Sequence, residues 1–333
     1  MKKDRTYARL FRLTGIILFL VSAAACERNE YELLDPSSAG KWTLYTTTTG
    51  LPGNSIKDVM KDSRGNIWVA CYGGGASYFS AGKWTSYTKS NSSILSNNVT
   101  CFAETSAGDI IIGTANGLSV RTAAGQWISV QDPYATMNVT TIKVSSNGWI
   151  WAGTDGDGFY YYDGTGFNNV YDDYIANVFD IEEDASGNIY FGSFFGLWKY
   201  SGTGWSLITT ANGLPSNVVT SLYRDSKNRL WIGTYGGSTI CYMDSSGKIT
   251  QIHLMAGNEG SYIRDIYEDR YGDMWFATYL DGLIHYDWNI AVANKQCTGF
   301  YEDKVIALTG DKEGDVWCGL FSKGVARYSL PLY

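Results

Sequence analysis

Leu214-Pro215-Ser216-Asn217 opens a stretch that passes through Asp225 and closes on Leu230-Trp231-Ile232-Gly233-Thr234-Tyr235-Gly236-Gly237. Six relatives of this stretch lie elsewhere in the chain. The Trp231 position is filled in order by Trp68, Ile111, Trp151, Tyr190, Trp231, Trp275 and Trp317, at spacings of 43, 40, 39, 41, 44 and 42 residues. Four short strands per unit at such a period are what a β-propeller blade requires, because one four-stranded sheet cannot bury both of its faces alone. The expected fold is therefore all-β, a seven-bladed β-propeller.

Each unit reads strand by strand. Strand a is short and apolar, as in Val218 to Tyr223 or Ile263 to Tyr267, and is expected to line a central channel. An Asp-x-x-Gly turn follows: Asp62 with Gly65, Asp184 with Gly187, Asp269 with Gly272, Asp311 with Gly314. Asp suits the first turn position and Gly supplies positive φ at the last. Asn228 takes the Gly place in the fifth unit, as the next residue able to adopt that conformation. Strand b carries the Trp, a Gly-rich loop leads to strand c, and strand d begins with an aromatic residue: Trp42, Trp84, Trp127, Phe167 and Trp205.

The two ends of the repeat region complement each other. The seventh strand c, Val325 to Ser329, has no strand d after it, whereas Lys41-Trp42-Thr43-Leu44-Tyr45 is a strand d with no a-b-c before it. The N-terminal strand is expected to complete the last blade and so remove the exposed sheet edges.

The recurring Leu-Pro-x-Asn, Asp-x-x-Gly and Trp-Ile-Gly-Thr-x-x-Gly elements resemble the two-component regulator propeller repeat, over residues 41 to 329. That family builds the periplasmic sensor regions of hybrid histidine kinases in Bacteroidetes, with two propellers, an immunoglobulin-like domain, a membrane span and a kinase. The resemblance implies an extracytoplasmic propeller with a recognition role; kinase activity does not transfer.

Composition agrees with a strand-rich globular chain. Of 333 residues 44% are hydrophobic and 18% charged, beside 38 Gly, 25 Tyr, 13 Phe and 12 Trp, which excludes disorder and helical rods. Lys2, Lys3, Arg5, Arg9 and Arg12 precede an apolar run from Ile16 to Val21, and Ala23-Ala24-Ala25-Cys26 resembles a bacterial lipobox. Residues 1–25 are expected to be a lipoprotein signal peptide, Cys26 the lipidated residue, 26–40 a tether, 41–329 the propeller and 330–333 a short tail. The alternative is ordinary cleavage near Ala25. Loss of residues 1–25 leaves 21 basic and 32 acidic residues, a net charge of −11. Such a body repels phosphate backbones, so no nucleic-acid partner is expected, and the membrane is met through the lipid anchor only. Cys71, Cys101, Cys241, Cys297 and Cys318 are widely spaced and read as buried free thiols, with neither a zinc site nor a disulfide framework indicated.

Strands of a meander alternate in direction, so b-to-c and d-to-a connections share one face of the ring. On that face the expected ligand-binding residues are Tyr72, Asp155, Asp157, Phe194, Phe195, Tyr235, Tyr279, Asp281, Phe321 and Lys323, with Asn116 nearby. The d-to-a loops add Tyr171, Asp172, Asp173, Tyr174, Glu259, Tyr262, Glu302 and Asp303. Aromatic planes beside carboxylates suit a carbohydrate, since rings cover the apolar sugar faces and carboxylates accept hydroxyl hydrogen bonds. The opposing reading is that Tyr and Phe before Gly simply plug the channel mouth. Asn54, Asn97 or Asn98, Asn138, Asn177 and Asn217 recur before strand a and read as local side-chain turns. Asp155-Gly156-Asp157-Gly158 resembles the opening of a calcium loop but lacks its later ligands, so no metal and no cofactor is expected.

The functional expectation is a non-catalytic extracytoplasmic sensor propeller at the outer membrane, periplasmic or surface-exposed. Its ligand would be a glycan fragment or a partner protein of a glycan-sensing or uptake system. Two alternatives stand beside it: a propeller enzyme of the polysaccharide lyase or glycoside hydrolase type, using a carboxylate pair such as Asp155 with Asp281, and a pure assembly scaffold. The only two histidines, His253 in a strand d and His285 in a strand c, fall away from the loop face.

Overall fold

Each sequence repeat forms one four-stranded antiparallel sheet, and seven such sheets are arranged in chain order. In the first blade strands a to d are Ile56–Lys61, Ile67–Cys71, Gly75–Ser80 and Lys83–Tyr87. The computed structural model describes residues 41–130, 137–170, 175–236, 239–253, 261–288, 291–293 and 302–329. The leader, Cys26, the tether to residue 40, Tyr171 to Tyr174, Glu259, Cys297 and the tail 330–333 lie outside the described residues.

The ring closes as the sequence implies. Lys41–Tyr45 forms the outer strand of the last blade, beside Val325–Ser329, Val316–Leu320 and Val305–Gly310. Trp42 packs on Tyr328 at 4.7 Å between ring centroids, and Tyr45 lies nearly parallel to Trp317 at 5.3 Å and 8°. Tyr45 also touches Phe79 and Trp84 of the first blade, so this strand fills the seam as well as the sheet edge.

Packing explains the motif letters. Trp68, Trp231, Trp275 and Trp317 are fully buried, each contributing roughly 3 kcal/mol through apolar burial. Their indole N–H groups still need acceptors, and the Asp of the preceding turn supplies one: Trp68 Nε1 donates to Asp62 at 2.9 Å, and Trp231, Trp275 and Trp317 donate to Asp225, Asp269 and Asp311 at 2.8 Å. The fourth blade replaces the pair with Tyr190 Oη on Asp184 at 3.1 Å. Asp thus serves both the turn and the core. Asn228 sits at φ +59°, in the left-handed region expected for the Gly substitute.

The Gly of Trp-Ile-Gly-Thr marks where strand b meets the next blade. A Cβ on Gly233 would stand 2.8 Å from Ile263, and one on Gly319 would stand 2.7 Å from Ile56 across the closing seam. Blades are also latched by carboxylates. Glu104, Glu183 and Glu268 each accept the N–H and the hydroxyl of a serine in the preceding blade's turn, at Ser63, Ser146 and Ser226.

The innermost strand of each blade has one unpaired edge toward the channel. Three carboxylates cap it: Asp58, Asp180 and Asp265 accept the N–H groups of Phe102, Leu222 and Leu308 in the following blade, at 2.7–2.8 Å. Although each keeps some exposure to the channel, protein surrounds it, and burial pushes Asp58 up to about 6, Asp180 to about 7 and Asp265 well above the usual carboxylate range. Cys71, Cys101, Cys241 and Cys318 are buried free thiols, and burial pushes Cys71 and Cys241 up to about 12.

Candidate functional site

A repeated backbone contact places the first residue of the b-to-c loops on one face. Its N–H donates to a carbonyl just before strand a: Tyr72 to Ser55, Tyr235 to Val218, Tyr279 to Tyr262 and Phe321 to Lys304, at 2.8–3.1 Å. Small neighbours follow in Tyr72-Gly73, Tyr235-Gly236 and Phe321-Ser322, so the rings stand clear of their loops. Tyr72, Phe194, Phe195, Tyr235 and Phe321 are exposed between 37% and 48%, which places most of the exposed large rings among the described residues on the predicted face.

The structure joins four rings into one run over blades 5 to 7. Tyr235 stacks on Tyr262 at 5.8 Å, Tyr262 on Tyr279 at 4.9 Å, and Tyr279 meets Phe321 edge-on at 6.3 Å. Tyr72 of blade 1 joins through Lys57, whose Nζ lies 5.1 Å from the Tyr72 ring and 6.0 Å from that of Phe321. Lys304 Nζ sits 4.6 Å from the Tyr279 ring and 5.0 Å from Phe321, and donates to Tyr279 Oη at 3.4 Å. The Arg264 guanidinium lies 5.7 Å from the Tyr262 ring.

The other expected residues divide. Phe194 leaves this run and packs edge-on against Phe179 at 4.6 Å in blade 4. Asp155 and Asp157 are exposed in the blade 3 loop, where Asp155 pairs its backbone with Asn177 and takes a 3.5 Å contact from Asn138. Lys323 is exposed beside Phe321. Asp281 departs from expectation: it is 2% exposed, although its N–H donates to Thr278 Oγ1 just as that of the exposed Asp157 donates to Thr154 Oγ1. Glu302 is occupied by the N–H and hydroxyl of Ser322, both at 2.8 Å. The expected Asn turns differ too, since Asn54, Asn97 and Asn217 reach back to Thr47, Lys89 and Thr210 and pin whole d-to-a loops.

Sequence reading missed Lys57, Arg264 and Lys304. Lys57 and Arg264 are the extra residues of β-bulges, where the ladder slips between Ile56 and Asp58 and between Ile263 and Asp265. A bulge turns its side chain out of the ladder, here onto the loop face. A charged residue inside the apolar strand a was the available signal. The grooves elsewhere are of another kind: one of about 470 Å³ runs between blades 4 and 5, lined by Tyr190, Lys199, Asn228 and Asp244. His285 stacks on Trp275 at 4.3 Å and contacts Asp273 at 3.2 Å, and His253 bonds Thr239 at 2.9 Å, both in strands c and d.

Fold and site together define a seven-bladed propeller with a run of aromatic rings on one loop face. Residues 50–73, 213–236 and 258–280 match the two component regulator propeller family. Among solved structures it resembles the extracellular domain of the hybrid two component system BT3049 from B. thetaiotaomicron, with a TM-score of 0.71 and 20% identity over 88% of this chain and 42% of that one. The corresponding domain of BT4673 gives 0.72 and 19% over 87% and 40%. The chain thus spans about two fifths of the length of these structures. It is also similar in fold to a catalytically inactive histidine-to-alanine variant of virginiamycin B lyase from Staphylococcus aureus, at 0.71 and 15% over 87% and 99%. A search of curated proteins finds no match.

Proposed function

We propose that the protein is a non-catalytic, extracytoplasmic recognition propeller of a sensing system, binding a carbohydrate fragment, or a partner protein of a glycan-sensing or uptake system, on its loop face. The observation that carries this reading is the run Tyr235, Tyr262, Tyr279 and Phe321, held by backbone bonds on one side of the channel. Stacked rings offer flat apolar area at low entropic cost, which suits sugar faces. Support for an extracytoplasmic place comes from the basic and apolar leader ending at Cys26 and from structural neighbours described as extracellular domains. Lipidation of Cys26 would tether the propeller to the outer membrane through residues 26–40.

Enzymatic action is not the favoured reading. The lyase loses activity with one histidine, whereas His253 and His285 here lie in strands d and c of blades 5 and 6. A glycan array followed by calorimetry tests the proposal. A bound oligosaccharide should lose its affinity in the Tyr235→Ala, Tyr279→Ala double variant, and unchanged affinity would remove this face. Mass spectrometry of the mature N-terminus tests the anchor, since an unmodified Cys26 would exclude it.

A further inference from the structure

The sequence suggested rings beside acids, but three basic side chains lie 4.6–6.0 Å from the rings of this face. Lys57, Arg264 and Lys304 come from three different blades and converge on Tyr262, Tyr279, Phe321 and Tyr72. Among the described residues none of the three forms an ion pair with a carboxylate. Two acids of the same loops are engaged or turned away: Glu302 is held by Ser322 and Asp281 is buried. Asp303 is exposed on the loop, where its carbonyl accepts Gly282 N–H.

Three cations kept together with no ion-pair partner among the described residues are unusual in a chain whose formal charge is −7. Their mutual repulsion shows in Lys57, whose ammonium is pulled below its ordinary value first by burial and then by Arg264. The Arg264 Nε is buried with no hydrogen-bond partner. An anion arriving here would relieve both, and the partly desolvated setting strengthens its attraction.

We infer that the loop face takes an acidic saccharide, its sugar ring lying on Tyr262, Tyr279 and Phe321 and its carboxylate or sulfate meeting Lys57, Arg264 and Lys304. This rests on the recognition reading above and narrows its ligand class. Neutral sugars would leave the three charges uncompensated. Salt competes with the anion and should weaken binding.

Calorimetry on the full chain with three probes tests the inference: trigalacturonate for the carboxylate, a carrageenan-derived tetrasaccharide for the sulfate, and β-1,4-galactotriose as the neutral comparison. One charged probe should bind at least tenfold more tightly than galactotriose, weaken as salt rises, and lose at least tenfold in Lys57→Gln and again in Lys304→Gln. Both lysines are partly exposed, so thermal midpoints near wild type are expected, and Lys304→Glu gives a second variant with a larger loss. Galactotriose binding as tightly as the charged probes, unaffected by the lysine changes but lost in Tyr279→Ala, would overturn the acidic ligand while keeping the face. No heat from any of the three would overturn the acidic ligand, and a glycan-array hit insensitive to Tyr279→Ala would remove the face as well.

Discussion

Tyr279 lies stacked on Tyr262 at 4.9 Å because the Tyr279 N–H donates to the Tyr262 carbonyl at 3.0 Å, holding together two rings that flank strands a and b of blade 6. The pair is the centre of the aromatic run. Tyr262→Ala should therefore weaken a loop-face ligand about tenfold, the equivalent of about 1.4 kcal/mol, since one ring contact and the support for its neighbour are lost together. Thermal unfolding should change little, because both rings are only half-buried. Calorimetry beside a melting curve separates the two effects, and a large fall in midpoint would assign the pair to architecture.

The closing strand should matter far more to stability. Deleting residues 41–46 removes the Tyr45 contact with Trp317 and leaves Val325–Ser329 as an open edge. A drop in thermal midpoint of more than about 10 °C is expected, on the order of several kcal/mol. The single change Tyr45→Ala should cost about 2–3 kcal/mol in urea denaturation. An unchanged midpoint in the deletion would contradict the closure.

Asp225 carries four bonds at once. It accepts Trp231 Nε1 and the N–H groups of Lys227 and Arg229, and it pairs with Arg229 at 2.6 Å. Asp225→Ala would leave a buried indole N–H and a mostly buried guanidinium unpaired, at a cost of about 3–5 kcal/mol. Asp225→Asn keeps an acceptor for the indole and should cost about half as much. Equal losses in the two variants would show that the turn, rather than the indole acceptor, sets the energy.

The channel carboxylates give stability a particular pH slope. Burial outweighs the backbone hydrogen bonds and holds Asp58 at about 6 and Asp180 at about 7, against about 3.9 in an unfolded chain. Between those limits the folded state binds more protons, so their stabilising contribution is complete below about pH 4 and is lost as pH rises through about 6 to 7. Asp184 and Asp225 act oppositely, because hydrogen bonds overcome burial and lower them; their contribution is lost only as pH falls below about 4. Asp180→Asn should therefore melt higher than wild type at pH 8 and show a flatter slope between pH 5 and 8. Identical slopes would mean that the carboxyl is ionised throughout.

The architecture was largely legible because a propeller repeats its local constraints. Trp231 and its equivalents recur since every blade must fill the same space, and Gly233 recurs since every strand b meets the next strand a at the same distance. The closing role of Lys41–Tyr45 followed from counting strands. Asp225 and its equivalents were read as turn residues, and their bond to the indole six positions on became visible only with the strand register.

What the sequence determined by itself was the ring, its closure and the face on which Tyr235, Tyr279 and Phe321 stand, because these depend on period, turn chemistry and strand direction. Tertiary structure alone decided the chemistry of that face. A bulge turns Lys57 and Arg264 out of the ladder toward the loop rings, and Asp281 is buried where the equivalent Asp157 is exposed. Lys57 meets Phe321 and Lys304 meets Tyr279 across long stretches of chain, and no local pattern encodes which side chains from separate blades will share one solvent-facing surface.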